Sequence, residues 1–154
     1  GWRRARYAFE AVNHHELALI LLGVGIFLIS IDATNLTGLW TFVILWLMRQ
    51  SAKLNIFLGV LNLNENFLPN HLKYLQTYFR RRPMNFLMPI SILGSFIFVV
   101  PLWGGALTSG VLPHEIVSST ILATLLSLAI LEHILLVLPV QIEFLWKWGF
   151  RHES

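Results

Sequence analysis

An all-helical membrane bundle is the fold class that this sequence predicts, and three observations predict it. Of the 154 residues, 56% are hydrophobic and only 12% are charged, whereas about a quarter of the residues in a typical soluble domain are charged. The apolar residues gather into four runs, and none of these alternates as the wall of a membrane barrel would. The basic residues avoid two of the three connections between the runs. We therefore expect a polytopic helical protein with about four transmembrane helices.

The four apolar runs define the expected spans. A helix needs roughly 20 mostly apolar residues to cross a bilayer. The fourth run reaches this length by itself, the first two depend on their flanking residues, and the third has a proline near each end. Residues 1–154 would form a single transmembrane bundle domain. Its expected spans cover residues 14–33, 36–54, 84–103 and 116–138.

The positions of the basic residues predict the orientation of these spans. All 11 of them precede the first span, lie at the end of the second span or between it and the third, or follow the fourth: Arg3, Arg4, Arg6, Arg49, Lys53, Lys73, Arg80, Arg81, Arg82, Lys147 and Arg151. Residues 32–38 and 104–115, which form the other two connections, contain no Lys or Arg. Because cytoplasmic loops are enriched in Lys and Arg, both ends of this region are expected in the cytoplasm. The basic residues thus mark topology, and no nucleic-acid partner is expected.

The cytoplasmic connection at residues 55–83 has a helical pattern of its own. Leu68, Leu72, Leu75 and Phe79 recur at spacings of four, three and four, as on one face of an amphipathic helix. We expect an interfacial helix here, with its arginines near anionic lipid headgroups. A helix docked on the protein itself is the alternative interpretation.

Five ionisable residues inside the predicted spans are the candidates for a functional site. His14, His15 and Glu16 open the first span, while Glu132 and His133 lie late in the fourth, so both groups belong to the cytoplasmic half of the membrane. Ionisable side chains in a membrane helix are costly and usually face a partner. A protonated Glu132 bonded across helices is one interpretation. His133 would similarly pair with a backbone carbonyl or with a serine of the third helix.

A metal centre and a pigment are the functional alternatives for this group. Di-metal proteins built on helix bundles use Glu-x-x-His pairs that share a helix face, whereas the adjacent Glu132 and His133 lie about 100° apart around the helix. We expect no metal site and no catalytic residue, and a metal-dependent pigment-modifying enzyme is the weaker alternative. A single neutral imidazole could hold the magnesium of a chlorophyll-type ring. The candidate cofactor-binding residues are His133, Glu132, His15, His14 and Glu16.

Several stretches together resemble a known family. They read SAKLNIFLGVLNLNENFLP, YFRRRPMN and TLLSLAILEHILLVLP, followed by the closing LWKW. Over residues 14–148 the chain resembles the PuhE family of photosynthetic complex assembly proteins, which are encoded beside the reaction-centre H subunit. The family carries no established catalytic residues. The polar positions that match its pattern are His15, Glu16, Asn55, Asn62, Asn64, Glu65, Arg81, Arg82, Asn85, Glu132 and His133.

The resemblance implies a multi-pass protein of the bacterial inner membrane, in its intracytoplasmic photosynthetic form. The implied partners are reaction-centre and core antenna polypeptides, and the implied cofactor is bacteriochlorophyll, which the protein would hold or deliver. Family members are longer, so we expect this chain to be the C-terminal part of a longer protein. The expected function is that of a non-enzymatic accessory or assembly protein. A permanent structural subunit of the photosynthetic complex is the alternative.

The cytoplasmic connection also contains candidate partner-binding residues. They are Asn62, Asn64, Glu65, Arg80, Arg81 and Arg82. The asparagines and the glutamate stand between apolar residues, where they could bond to the backbone of their own loop. A surface that docks a photosynthetic subunit is the functional hypothesis for the same residues.

Overall fold

The computed structural model describes residues 2–61, 83–110 and 112–138, with side chains from residue 14 onward. The described chain consists of four helices: α1 Trp2–Ser30, α2 Thr37–Leu58, α3 Leu87–Leu107 and α4 Pro113–Val137. This arrangement confirms the all-helical class. The interfacial helix and the partner-binding residues predicted within 62–82 lie outside the described residues.

The helix ends follow local backbone chemistry. α2 continues past the expected residue 54 and stops at Gly59, whose φ of 112° suits a glycine and whose N–H is bonded to the Asn55 and Ile56 carbonyls. α4 begins with Pro113, because a first helical residue needs no N–H. The sequence pattern places Pro101 near the end of the third helix, but α3 runs on to Leu107. A proline removes one backbone hydrogen bond, and apolar helices with packed neighbours tolerate this loss.

The helices alternate in direction. His15 in α1 contacts Arg49 late in α2, so these two helices are antiparallel. Thr37 at the start of α2 lies 2.6 Å from Ser118 near the start of α4, measured between hydroxyl oxygens, so α2 and α4 are parallel. The short connection 108–112 returns α4 alongside α3. The starts of α1 and α3 therefore share one end of the bundle with the ends of α2 and α4.

The buried apolar core lies among α2, α3 and α4. Both α2 and α3 pack against α4, but they make few contacts with each other, so a groove opens between them. α1 contacts α2 and stands at the edge of the bundle. The core cluster consists of Met48, Val99, Leu126, Ala129 and Ile130.

The outer surfaces of α3 and α4 are strongly apolar. Among the described residues, these two helices are long and apolar enough to cross a membrane. Only 11% of the most apolar window of α3, and 33% of that of α4, is buried inside the protein, which is the opposite of what a core helix in a soluble protein shows. Soluble proteins rarely expose contiguous apolar patches of this kind. The two helices therefore indicate association with a membrane.

Candidate functional site

A groove of about 660 Å³ lies between α2 and α3, and α4 contributes to its lining. This volume falls within the range of small-molecule pockets. Trp40 and Ser51 mark the two ends of the groove along α2, a separation of roughly 16 Å at the helical rise per residue. Three small residues of α3 line the groove: Ser91, Gly94 and Ser95.

A buried histidine stands behind the Ser51 end of the groove. His133 of α4 is fully buried, and its Nδ1 lies 2.9 Å from the Ala129 carbonyl oxygen while its Nε2 lies 2.9 Å from Ser51 Oγ. A carbonyl oxygen only accepts, so Nδ1 carries the proton. In the neutral ring, Nε2 is then an acceptor that faces the Ser51 hydroxyl, and the single proton of that hydroxyl serves either this contact or the one to Ser91. The imidazole thus joins α4 to α2.

Ser91 and Asn55 extend this buried polar cluster to α3. The Ser51 and Ser91 hydroxyl oxygens lie 2.9 Å apart, and Asn55 Nδ2 donates to the Ser51 carbonyl at 2.9 Å and to Ser91 Oγ at 3.2 Å. Because that carbonyl only accepts, the contact fixes which amide atom is the nitrogen. Asn55 is fully buried, and its Oδ1 has no hydrogen-bond partner within the described parts of the chain. Hereafter, "buried cluster" means His133, Ser51, Ser91 and Asn55.

Asn85 attaches the buried cluster to the backbone ends of two helices. Its Nδ2 donates to the carbonyls of Asn55 and Gly59, each at 3.0 Å. Its Oδ1 accepts from the N–H groups of Leu87 and Met88 at 2.9 and 3.0 Å. Helix termini leave such backbone groups without partners inside the helix. One side chain therefore caps the end of α2 and the start of α3 together.

A second polar cluster lies between α1 and α2 and is more exposed. The Glu16 carboxylate forms an ion pair with Lys53 and accepts a hydrogen bond of 2.6 Å from Gln50 Nε2. Arg49 Nε lies 4.0 Å from the same carboxylate, and Arg49 Nη2 lies 3.5 Å from His15 Nδ1. We call these residues the charged cluster: His15, Glu16, Arg49, Gln50 and Lys53.

Comparison with known proteins identifies the family. The family described as "Protein of unknown function (DUF3623)" matches residues 1–154. The chain belongs to this DUF3623 family. No solved structure matches it.

A curated relative gives the DUF3623 chain a genetic context. It is the "Uncharacterized 30.4 kDa protein in puhA 5'region" of Rhodobacter capsulatus, 39% identical over 138 residues, which make up 87% of this chain and 48% of the relative. The chain thus spans about half the length of that relative. Because puhA is a photosynthesis gene, the match is consistent with a family linked to puhA.

The structure of this DUF3623 chain places the predicted site residues at one level along α2. Glu16 meets Gln50 and Lys53, and His133 meets Ser51, so these two side chains contact neighbouring residues of α2. They occupy different sides of α2 and do not form one site. The sequence offered His133 a backbone carbonyl or a serine of the third helix. The carbonyl is present, but the serine comes from α2, and Ser91 of α3 is reached through it.

The remaining predicted residues lie at the surface, and no metal-binding group forms among them. His14, His15 and Glu132 are exposed. Within residues 2–61, 83–110 and 112–138, no three His, Cys, Asp or Glu side chains come together in a way that could hold a metal ion.

Sequence reasoning missed the partners of His133. Ser51 attracted no prediction, and the family resemblance marked Asn55 and Asn85 without giving either a role. The available signal was spacing: Ser51 and Asn55 are four residues apart on α2, as Ser91 and Ser95 are on α3, so each pair shares a helix face. Polar residues repeated on one face of an apolar helix usually contact a neighbouring helix.

Proposed function

We propose that this chain is part of an accessory or assembly protein for the photosynthetic reaction centre and core antenna in the bacterial inner membrane. The observation that carries the proposal is the 39% identity to a protein from the puhA 5' region. The apolar surfaces of α3 and α4 support the membrane location. Reaction-centre and core antenna polypeptides are the proposed partners, and lipid surrounds the remaining apolar faces.

In this proposal all four helices cross the membrane, with both ends of the region in the cytoplasm. The alternating helix directions place Arg49 and Lys53 at the end of the bundle where the apolar part of α1 begins, as the positive-inside rule requires. The chain has no cysteine, so single cysteines can report topology in intact spheroplasts. An impermeant maleimide should label Thr34→Cys before lysis and Pro83→Cys only after lysis. The opposite pattern would refute this orientation.

Purification of the full-length protein tests the assembly role. An affinity-tagged protein, extracted gently from phototrophic membranes, should carry reaction-centre or core antenna polypeptides in less than equimolar amounts, with most recovered during membrane biogenesis. Constant equimolar recovery from mature membranes would instead identify a permanent structural subunit. Recovery without any photosynthetic polypeptide at either stage would overturn both interpretations.

Bacteriochlorophyll remains the proposed cargo, with His133 as its predicted ligand. The described geometry leaves His133 no free nitrogen, so pigment binding requires Ser51 to turn away from Nε2. Glu132 is exposed and would contact a neighbouring helix or the edge of the pigment. Gently purified protein should absorb in the near infrared, and His133→Leu should remove or shift this absorbance while Glu132→Gln preserves it. Unchanged absorbance in His133→Leu would exclude this residue as the ligand.

A further inference from the structure

We propose that Ser51 is the nucleophile of an ester-cleaving site, with His133 as its general base and with the groove between α2 and α3 holding the hydrocarbon chain of the ester. The proposal goes beyond the assembly role and does not depend on it. It rests on the geometry of the Ser51–His133 pair, on the difference in access between these two residues and on the chemistry of the groove walls.

The Ser51–His133 pair has the geometry of an activated serine. Ser51 Oγ lies 2.9 Å from His133 Nε2, and His133 Nδ1 donates to the Ala129 carbonyl at 2.9 Å. Nucleophilic catalysis uses a nucleophile and a base within hydrogen-bond reach, with the base oriented by a third group. The Ala129 carbonyl is that third group, because it holds the proton on Nδ1 and leaves the lone pair of Nε2 directed at Ser51.

The proton of the Ser51 hydroxyl has two acceptors within reach. They are His133 Nε2 and Ser91 Oγ, each 2.9 Å from Ser51 Oγ. Ser91 Oγ also accepts from Asn55 Nδ2 at 3.2 Å, so it keeps a hydrogen bond without Ser51. Within the described residues Nε2 has Ser51 as its donor, and a buried acceptor without a donor is costly. The proton is therefore more stable between Ser51 and His133, which is the contact that general-base catalysis uses.

A substrate can reach Ser51 without reaching the base. Ser51 is half-buried and lines the 660 Å³ groove, whereas His133 is fully buried behind it. Ser91 lines the groove beside Ser51, and its hydroxyl donates to the Leu87 carbonyl at 2.9 Å. Inside a helix that carbonyl also accepts the N–H four residues on. The Ser91 hydroxyl can therefore turn toward a developing oxyanion and stabilise it.

The groove walls select the class of substrate. Apart from its serines, the lining is almost wholly apolar from Ser51 to Trp40, over roughly 16 Å of α2. Such walls offer few partners to the N–H and C=O groups of a peptide, and unpaired polar groups are costly to bury. A hydrocarbon chain fits these walls and places an ester carbonyl at its end beside Ser51. We therefore expect a long-chain ester as substrate, and not a peptide.

The reaction balances with water as its co-reactant. Ser51 Oγ bonds to the ester carbonyl carbon while its proton passes to His133 Nε2, and the departing alkoxide takes this proton as the ester C–O bond breaks. Water then attacks the acyl group on Ser51 and gives a proton to Nε2, which returns it to Ser51 Oγ as the carboxylic acid leaves. Nε2 cannot act as this base while it holds a pigment, so serine labelling and near-infrared absorbance report the two roles separately.

An alkyl fluorophosphonate tests the nucleophile directly, because an activated serine oxygen bonds to its phosphorus and displaces fluoride. The dodecyl compound should label the full-length protein in mild detergent, and mass spectrometry should place the adduct on Ser51. His133→Gln should slow labelling at least about a hundredfold. Ser95→Ala is the matched control and should label at the unaltered rate, since Ser95 lines the same groove but donates to the Ser91 carbonyl at 2.7 Å. An adduct that is absent, that forms on another serine or that forms equally fast in His133→Gln would overturn the proposal.

Ester cleavage and access through the groove are tested separately. A nitrophenyl ester of a long-chain acid should be hydrolysed by the unaltered protein and not by Ser51→Ala, and labelling without any hydrolysis would refute ester cleavage. A Cβ added at Gly94 or at Gly104 would meet no atom within 4 Å, but of these two only Gly94 lines the groove. Gly94→Leu should slow labelling at least about tenfold, because the chain can no longer lie along the groove, and Gly104→Leu should not. Equal rates in these two variants, with equal helical circular dichroism, would refute the groove as the site of the chain.

Discussion

The two polar clusters on α2 lie at the same level but are built differently. The buried cluster joins three helices through His133, Ser51 and Ser91, and it contains no Asp, Glu, Lys or Arg. The charged cluster joins α1 to α2 and keeps its ions near the surface, where the Lys53 side chain is 37% exposed. Burying an unpaired charge is expensive, whereas a satisfied neutral hydrogen bond is tolerated. The adjacent residues Gln50 and Ser51 of α2 therefore belong to clusters of different kinds: Gln50 to the exposed, charged cluster and Ser51 to the buried one.

The comparison indicates where the stability of the bundle lies. Exposed ion pairs contribute little because water and salt screen them. Buried polar groups contribute more through the penalty incurred when one partner is removed. We expect α2, α3 and α4 to depend on the buried cluster and on Asn85, and we expect α1 to depend on close packing more than on charge.

The largest effect is expected at Asn85. Asn85→Ala should lower the free energy of unfolding by about 3 kcal/mol, because four backbone groups at two helix ends each lose a hydrogen bond. Asn35→Ala is the matched control: its Oδ1 caps only Thr37, at an exposed site, and its loss should cost about 1 kcal/mol. Thermal unfolding in mild detergent, followed by circular dichroism, measures both. Equal losses would show that Asn85 is not a shared cap.

A smaller loss is expected when Ser51 is truncated. Ser51→Ala removes the hydroxyl that contacts both His133 Nε2 and Ser91 Oγ, and it should cost about 1–2 kcal/mol. Ser30→Ala removes a hydroxyl that donates to the Ile26 carbonyl of its own helix, and it should change stability by less than about 0.5 kcal/mol. The same unfolding assay compares them. If Ser51→Ala were neutral, a central place for Ser51 in the buried cluster would be ruled out.

Close packing of α1 on α2 can be tested at two glycines. A Cβ at Gly23 would lie 2.5 Å from Phe42 Cε1, whereas a Cβ at Gly25 would meet nothing within 4 Å. Gly23→Ala should cost about 1 kcal/mol because the Phe42 ring must move. Gly25→Ala should be neutral or slightly stabilising, since alanine favours helix formation. The order of the two melting temperatures checks this prediction, and a reversed order would contradict it.

The smallest effect is expected in the charged cluster. Glu16→Gln and Lys53→Met should each change stability less than Ser51→Ala does, because both partners reach solvent. The coupling between them, measured in a double-mutant cycle, should fade as the salt concentration rises. Strong coupling that persists in high salt would place this ion pair in a less solvated setting than its exposure implies.

The sequence predicted the positions of the helices better than it predicted which side chains form contacts between them. Long apolar runs with turn residues between them define α1 to α4. The observed helix ends differ from the expected ones where the backbone sets the end, as at Gly59 and after Pro101. The pattern also offered His133 a backbone carbonyl or a serine of the third helix, and the structure shows the carbonyl but a serine of α2. The sequence pattern could not identify Ser51 as the partner of His133, because tertiary packing determines how α2 is rotated about its own axis.

Asn85 and the groove were beyond sequence reasoning for a related reason. The bonds from Asn85 reach Asn55 and Gly59, which lie 30 and 26 positions earlier, so the cap exists only once α2 and α3 have met. The groove depends on how α2 and α3 diverge over α4. Small residues such as Gly94 permit that divergence, but the same residues would equally permit close helix contact.

The double cap at Asn85 also fixes the distance between two helix ends. By holding the Gly59 carbonyl and the Leu87 N–H on one side chain, Asn85 keeps the point where α2 ends within one side chain's length of the point where α3 begins. The position of α3 along α2 is therefore set by bonds that these two helix ends make themselves.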